Sequence, residues 1–104
     1  MPNADFRVRV EKIISQLPAD KVTTYGDVAA LAGSAYASRV VGGIAHYGNP
    51  ELPWHRLVNR RGGLAVGFPG GPDVQRQLLL QDGIQCIDNK VVNFEDLRWH
   101  PNFL

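Results

Sequence analysis

Apolar side chains at Phe6, Val10, Ile13, Ile14 and Leu17 recur at i, i+4, i+7, i+8 and i+11, which is one face of an amphipathic helix. Asp5 stands where its cap belongs, and Pro18 stops it. Residues 21–24 read as a short connector. Thr24 then caps a second helix, with Asp27 three residues on in the manner of a capping box. Val28, Ala29 and Leu31 form its apolar side and Gly33 ends it. Ser34 is placed to cap a third helix over residues 35–46, and two short helices joined through Gly-Ser suggest a helix-turn-helix.

Asn49-Pro50 breaks the third helix. Residues 52–54 read as a loop, 55–58 as a short strand, 59–63 as a turn and 64–66 as a returning strand. Glycines in the loop 67–71 allow positive φ and close backbone approach. Pro72 fits the first position of a fourth helix that carries Val74, Leu78 and Leu79 and ends at Gly83. Residues 84–87 and Val91-Val92 flank Asp88-Asn89-Lys90 in a hairpin pattern. The tail from Asn93 carries Phe94, Leu97, Trp99 and Phe103, so it is expected to dock. The pattern predicts a mainly α fold with short β hairpins. The whole chain, 1–104, reads as a single domain without repeats or linkers.

The third helix has an unusual composition. Ala35, Ala37, Ser38, Gly42, Gly43 and Ala45 are small, and Arg39 is its one charged side chain. Each glycine costs a helix interior about 1 kcal/mol relative to alanine, so something must compensate. Two readings fit: a tightly packed inner helix with one solvated arginine, or a helix laid against DNA with Arg39 projecting into it.

A chain of 104 residues supports one modest core, and 44% apolar residues are ordinary for a globular fold. No apolar run approaches the roughly 20 residues that span a bilayer. The N-terminus lacks a basic flank followed by an apolar stretch, so no secretory signal is read. The single Cys86 excludes an internal disulfide and a zinc cluster. A cytoplasmic protein with no membrane partner, no metal and no cofactor is expected. Net charge is +1, but its distribution is uneven. Between residues 34 and 61, Arg39, Arg56, Arg60 and Arg61 face Glu51 alone, whereas residues 62–104 carry an acidic excess. Such a local patch is either a chance excess of arginines or the footprint of a DNA-contact face.

The basic patch centres on Pro53-Trp54-His55-Arg56. The run from Gly48 to Val58 resembles the active-site segment of O6-alkylguanine-DNA alkyltransferases, a Pro-Cys-His-Arg sequence followed by two apolar residues. Trp54 stands where that family has its nucleophilic cysteine, the mark of the alkyltransferase-like proteins. The resemblance extends from about Asp5 to Val92. Val22-Thr23-Thr24-Tyr25-Gly26, Ala37-Ser38-Arg39-Val40-Val41-Gly42-Gly43 and Gly67-Phe68-Pro69-Gly70-Gly71 match in order and at similar spacing. It implies the winged helix-turn-helix-like DNA-binding fold of these proteins.

The resemblance also implies roles. Tyr25 would push on a phosphate and help rotate the target nucleotide out, and Arg39 would replace the extruded base. Ala37, Ser38, Gly42 and Arg56 would join Tyr25 and Arg39 at the DNA, with the small residues admitting the helix to the minor groove. Trp54, His55, Phe68 and Pro69 would line the lesion pocket with Tyr25. Asn49 would hold the loop, and Asp82 would take the place of the glutamate that partners the histidine. Phe68-Pro69 stands where the transferases commonly have Tyr-Ser, which removes hydroxyl contacts to the base.

Transfer of an alkyl group needs a thiolate. An indole cannot supply one, and Cys86, in a strand-like stretch far along the chain, reads as structural. The implied function is a non-enzymatic sensor. It would bind duplex DNA as a monomer, flip O6-alkylguanine into a pocket, and pass the lesion to nucleotide excision repair proteins, associating with the nucleoid when bound. A winged helix-turn-helix module that reads sequence is the alternative, but it needs polar side chains on the third helix, which offers little beyond Arg39 and Ser38. A hydrolase built on His55 and Asp82 is a third reading, without a nucleophile or metal ligands to support it.

Overall fold

The structure, a computed structural model, describes residues 4–101. Helix α1 runs Ala4–Ser15 and buries Phe6, Val10, Ile13 and Ile14 on one face. Asp5 lies within the first turn rather than at the cap. Leu17 is buried as the periodicity predicts, but past the helix end. Gln16 and Leu17 donate backbone N–H bonds to Ile13 and Ile14 carbonyls, both at 3.1 Å, which tightens the last turn.

Helix α2 spans Tyr25–Leu31, and Thr24 caps it by accepting from the Asp27 N–H at 3.0 Å. The capping box is only half made. The Asp27 carboxylate is gripped by Arg98, whose Nε and Nη2 each reach a different oxygen at 2.8 Å. Gly33 ends α2 at φ +97°. Its N–H bonds to the Ala30 carbonyl and that of Ser34 to the Ala29 carbonyl, a Schellman pair. Ser34 therefore closes α2 instead of opening the next helix. Ala37 N–H bonds to the Ser34 carbonyl, and α3 begins at Ser38 and runs to Tyr47, three residues later than the spacing predicts.

The expected connector is a strand. Strand β1, Thr23–Thr24, pairs in parallel with β2, Leu57–Val58, with Thr23 opposite Leu57. The predicted strand 55–58 is shortened because Trp54–Arg56 winds into one 3-10 turn. The predicted strand 64–66 does not form: Leu64 N–H bonds to the Asn89 carbonyl at 2.9 Å, and Val66 is 89% exposed. Helix α4, Pro72–Gln81, starts on its proline and ends before Gly83 at φ +79°. Its buried face is Gln75 and Leu79, while Val74 is exposed. Strands β3, Cys86–Ile87, and β4, Lys90–Val91, form the hairpin. Its loop residues Asp88 and Asn89 sit at φ +52° and +60°, a type I′ turn.

Two apolar clusters result. One joins α1, α2 and α3 with Trp54 and Leu57; the other gathers Val22, Val58, Leu64, Leu79, Ile84, Val91 and Phe94. The β1–β2 pair feeds both, since Leu57 points into the first and Val58 into the second. The C-terminal segment docks as its apolar content predicts. Helix α5, Phe94–Leu97, buries Phe94, and Trp99 packs on the first cluster. Phe103 lies outside the described residues. Among the described residues no helix is long and apolar enough to cross a membrane.

Candidate functional site

A cavity of about 480 Å³ opens beside α3, within the size range of small-ligand sites. Tyr25 from α2 and Gly42, Ala45 and His46 from α3 form one wall. Gly48, Pro50 and Leu52 from the following loop, with Trp54 and His55, form the floor. Ala65, Gly67, Phe68, Pro69 and Leu78 close the far side. The lining is mostly apolar and contains no serine, threonine, cysteine, lysine or carboxylate.

Trp54 is both cavity wall and core. It is 8% exposed, belongs to the first apolar cluster, and donates its Nε1–H to the Asn49 carbonyl at 2.8 Å. Gly48 makes the seat for the indole: a Cβ there would lie 2.6 Å from Trp54 Cζ2 and 2.6 Å from the Ile44 carbonyl. Asn49 fixes the loop between them. Its Oδ1 accepts from Glu51 N–H at 2.9 Å, and its own N–H reaches Glu11 at 3.4 Å.

Below the floor lies a polar knot. His55 Nε2 is 2.6 Å from Asp82 Oδ2, and Arg56 Nε approaches the same oxygen at 3.2 Å. Arg56 Nη1 donates to the carbonyls of Leu17 and Pro18 at 3.1 and 2.7 Å. Gln75, fully buried, ties both sides of the cavity together. Its Nε2 donates to the His55 and Leu57 carbonyls at 3.0 and 3.1 Å, and its Oε1 accepts from Ala65 N–H at 2.8 Å.

The outward face of α3 is different in kind. Packing within the chain explains neither of its glycines. A Cβ at Gly43 would meet nothing within 4 Å, and one at Gly42 would make only ordinary contact, 3.8 Å, with the Tyr25 ring. Arg39 is exposed and has no hydrogen bond or ion pair among the described residues. Arg39, Gly42, Gly43 and His46 follow the i, i+3, i+4, i+7 spacing of one helix face. Tight packing is thus excluded as the reason for the glycines: a Cβ would fit at Gly42, and the space over Gly43 is open.

The family model for the DNA binding domain of 6-O-methylguanine DNA methyltransferase matches residues 5–84. The chain belongs to this family. It is 44% identical over 100 residues to the DNA base-flipping protein of Escherichia coli K12, covering 91% of this chain and 74% of that one. The crystal structure of Schizosaccharomyces pombe Atl1 in complex with damaged DNA containing O6-carboxymethylguanine superposes with a TM-score of 0.83 at 28% identity, covering 97% of this chain and all of that one. Mycobacterium tuberculosis OGT in complex with DNA gives a TM-score of 0.70 at 30% identity, over 79% of this chain and 51% of that one.

Within this family member, the structure gathers Tyr25, Trp54, His55, Phe68 and Pro69 around one cavity and sets Arg39 and Gly42 on the adjoining helix face. Three expected DNA contacts are less open than a DNA face requires. Ala37 is buried, 6% exposed, at the start of α3, and Ser38 beside it is half-buried. Arg56 turns inward, its side chain 11% exposed, because two carbonyls and Asp82 hold the guanidinium. Gln75 is not legible in the sequence, and Gly48 is legible only as the start of the active-site-like run, not as the seat of the indole. A glutamine among apolar helix positions reads as solvated, and only the placement of three backbone partners shows its task. Cys86 lies on β3, and burial pushes its thiol up, away from the reactive thiolate. Among the described residues no three His, Cys, Asp or Glu side chains are grouped to hold a metal ion.

Proposed function

We infer that this chain binds duplex DNA carrying O6-alkylguanine through the minor groove, turns the damaged base into the cavity, and holds it without accepting the alkyl group. The observation that carries this reading is the open space over Gly43, next to Gly42 at the edge of an apolar cavity. Small residues let a helix face approach a narrow groove, and exposed Arg39 on the same face can fill the gap an extruded base leaves. Flipping costs a few kcal/mol, and least where pairing is already weak. An O6-alkyl group removes the N1 proton of guanine and so weakens its pairing with cytosine.

Tyr25, whose hydroxyl pKa is raised by burial above the ordinary phenol range, stands at the N-terminus of α2 to press on a phosphate. Trp54 offers an aromatic wall to the alkyl group. Transfer is not expected because the position facing the cavity is an indole and no thiol lines it. The His55–Asp82 pair, which would activate a neighbouring thiol, instead braces the floor. The held lesion is then a signal for nucleotide excision repair in the cytoplasm, with the protein acting as a monomer.

The test is titration of one duplex with and without a single O6-methylguanine, with the protein mass read afterwards. Tighter binding to the alkylated duplex and an unchanged mass are expected. Equal affinities would overturn lesion recognition, and a methyl adduct on the protein would overturn the non-transferring mechanism.

A further inference from the structure

Four residues with polar side-chain atoms line the cavity: Tyr25, His46, Trp54 and His55. The indole N–H of Trp54 is bound to Asn49, and His55 is bound to Asp82. The Tyr25 hydroxyl has its task in the proposed function. His46 has none. It is exposed, makes no hydrogen bond among the described residues, and stands edge-on to Tyr47 with ring centroids 4.6 Å apart at 86°, which limits where the imidazole can point. Two helical turns separate it from Arg39, so it is not placed to share that residue's work in the base stack.

We propose that His46 is the specificity residue of this cavity for anionic O6-carboxyalkyl adducts, donating an imidazole N–H to the carboxylate. The inference rests on the lesion-binding reading above and extends it to the far end of the adduct. The lining also includes Ala45, Pro50 and Leu52, whose apolar surface suits the methylene part of such a group. His46 is at the open edge, so a carboxylate there keeps part of its hydration and avoids the penalty of burying a charge. Either imidazole tautomer carries one N–H, and a donor to a carboxylate makes a stronger bond than one to a neutral acceptor.

The surroundings make His46 decisive. No carboxylate lines the cavity to repel the adduct. Glu11, which reaches this end of α3, lies 3.8 Å from Arg7 and accepts from the Asn49 N–H at 3.4 Å. The carbonyl end of α3 lies here as well and by itself disfavours an anion. Without the His46 donor, the site is therefore expected to select against a carboxylate.

The test measures affinity for one duplex carrying guanine, O6-methylguanine or O6-carboxymethylguanine at a single position. His46→Ala is expected to lower the carboxymethyl-to-methyl affinity ratio by about three- to ten-fold. The methyl-to-guanine ratio should move less than the carboxymethyl-to-methyl ratio. His46→Gln, which keeps an N–H donor, is expected to retain most of the carboxymethyl ratio, and His46→Glu to lower it beyond His46→Ala. If His46→Ala weakens all three duplexes by one factor, His46 is a backbone contact and the proposal is wrong. An unchanged carboxymethyl ratio also overturns it. Failure of the intact protein to distinguish O6-methylguanine from guanine would instead strike the proposed function, and is read from a different pair of duplexes.

Discussion

The floor beneath the cavity and the outer face of α3 are made of opposite materials. Beneath the floor nearly every polar group has a partner: Gln75 makes three bonds, Arg56 reaches two carbonyls and Asp82, and Asp82 also holds His55. On the outer face Arg39 has no partner among the described residues, Gly43 opens onto empty space and Gly42 leaves room for a Cβ against Tyr25. A fold optimised for its own stability would fill both regions. The floor contributes to the native state of the free chain, whereas the face lowers its stability and has meaning only when something covers it. Substitutions should separate accordingly, those in the floor acting on folding and those on the face acting on binding.

The largest effect is expected at Trp54. Truncating a buried tryptophan typically costs about 3–5 kcal/mol, and Trp54→Ala also leaves the Asn49 carbonyl without its donor. A melting curve should show a large fall in Tm, and an unchanged Tm would remove Trp54 from the core. Gln75→Leu comes next, at about 2–3 kcal/mol, because the backbone groups of His55, Leu57 and Ala65 lose their partner. Denaturant unfolding measures it, and a loss below about 0.5 kcal/mol would mean that these groups find substitutes. Smaller still is the Asp27–Arg98 clamp, where Arg98→Ala should cost about 1–2 kcal/mol at neutral pH.

That clamp has a pH signature. The Arg98 guanidinium holds the Asp27 carboxyl below the usual carboxylate range, against the opposing effect of burial. Its contribution is therefore complete above the unfolded value of about 3.9 and is lost as pH falls through the lower folded value. The stability gap between the parent and Arg98→Ala should stay level from neutral pH to about 5 and close on further acidification. A gap that closed between pH 7 and 5 would point to a histidine instead.

The sequence disclosed the helices and the cavity residues more fully than the strands and the floor. The apolar period of α1 and the Pro72 and Gly83 signals of α4 are local, so they could be read directly. The Asp88-Asn89 turn is equally local. The β1–β2 pair has two residues per strand, joins segments over thirty positions apart, and leaves no period to detect. Ser34 is ambiguous in the sequence, because a serine after a helix-ending glycine can close one helix or open the next, and only its backbone N–H decides. Charge and family resemblance both point Arg56 toward DNA, and the inward carbonyls that hold it are invisible in one dimension. Trp54, by contrast, announced the altered chemistry without any coordinates, since an indole in a cysteine's place changes what the segment can do.

If the α3 face is left empty for a duplex, Gly43→Gln should separate folding from binding. Glutamine is a good helix former and the added side chain meets nothing within 4 Å of its Cβ, so the free protein should gain about 0.5 kcal/mol. The same side chain would occupy the space proposed for the groove, so affinity for the O6-methylguanine duplex should fall at least about tenfold, or about 1.4 kcal/mol. A more stable variant that binds more weakly is the predicted result. A more stable variant that binds the duplex as the parent does would contradict the account, because the glycine face would then be open for no ligand that the duplex represents.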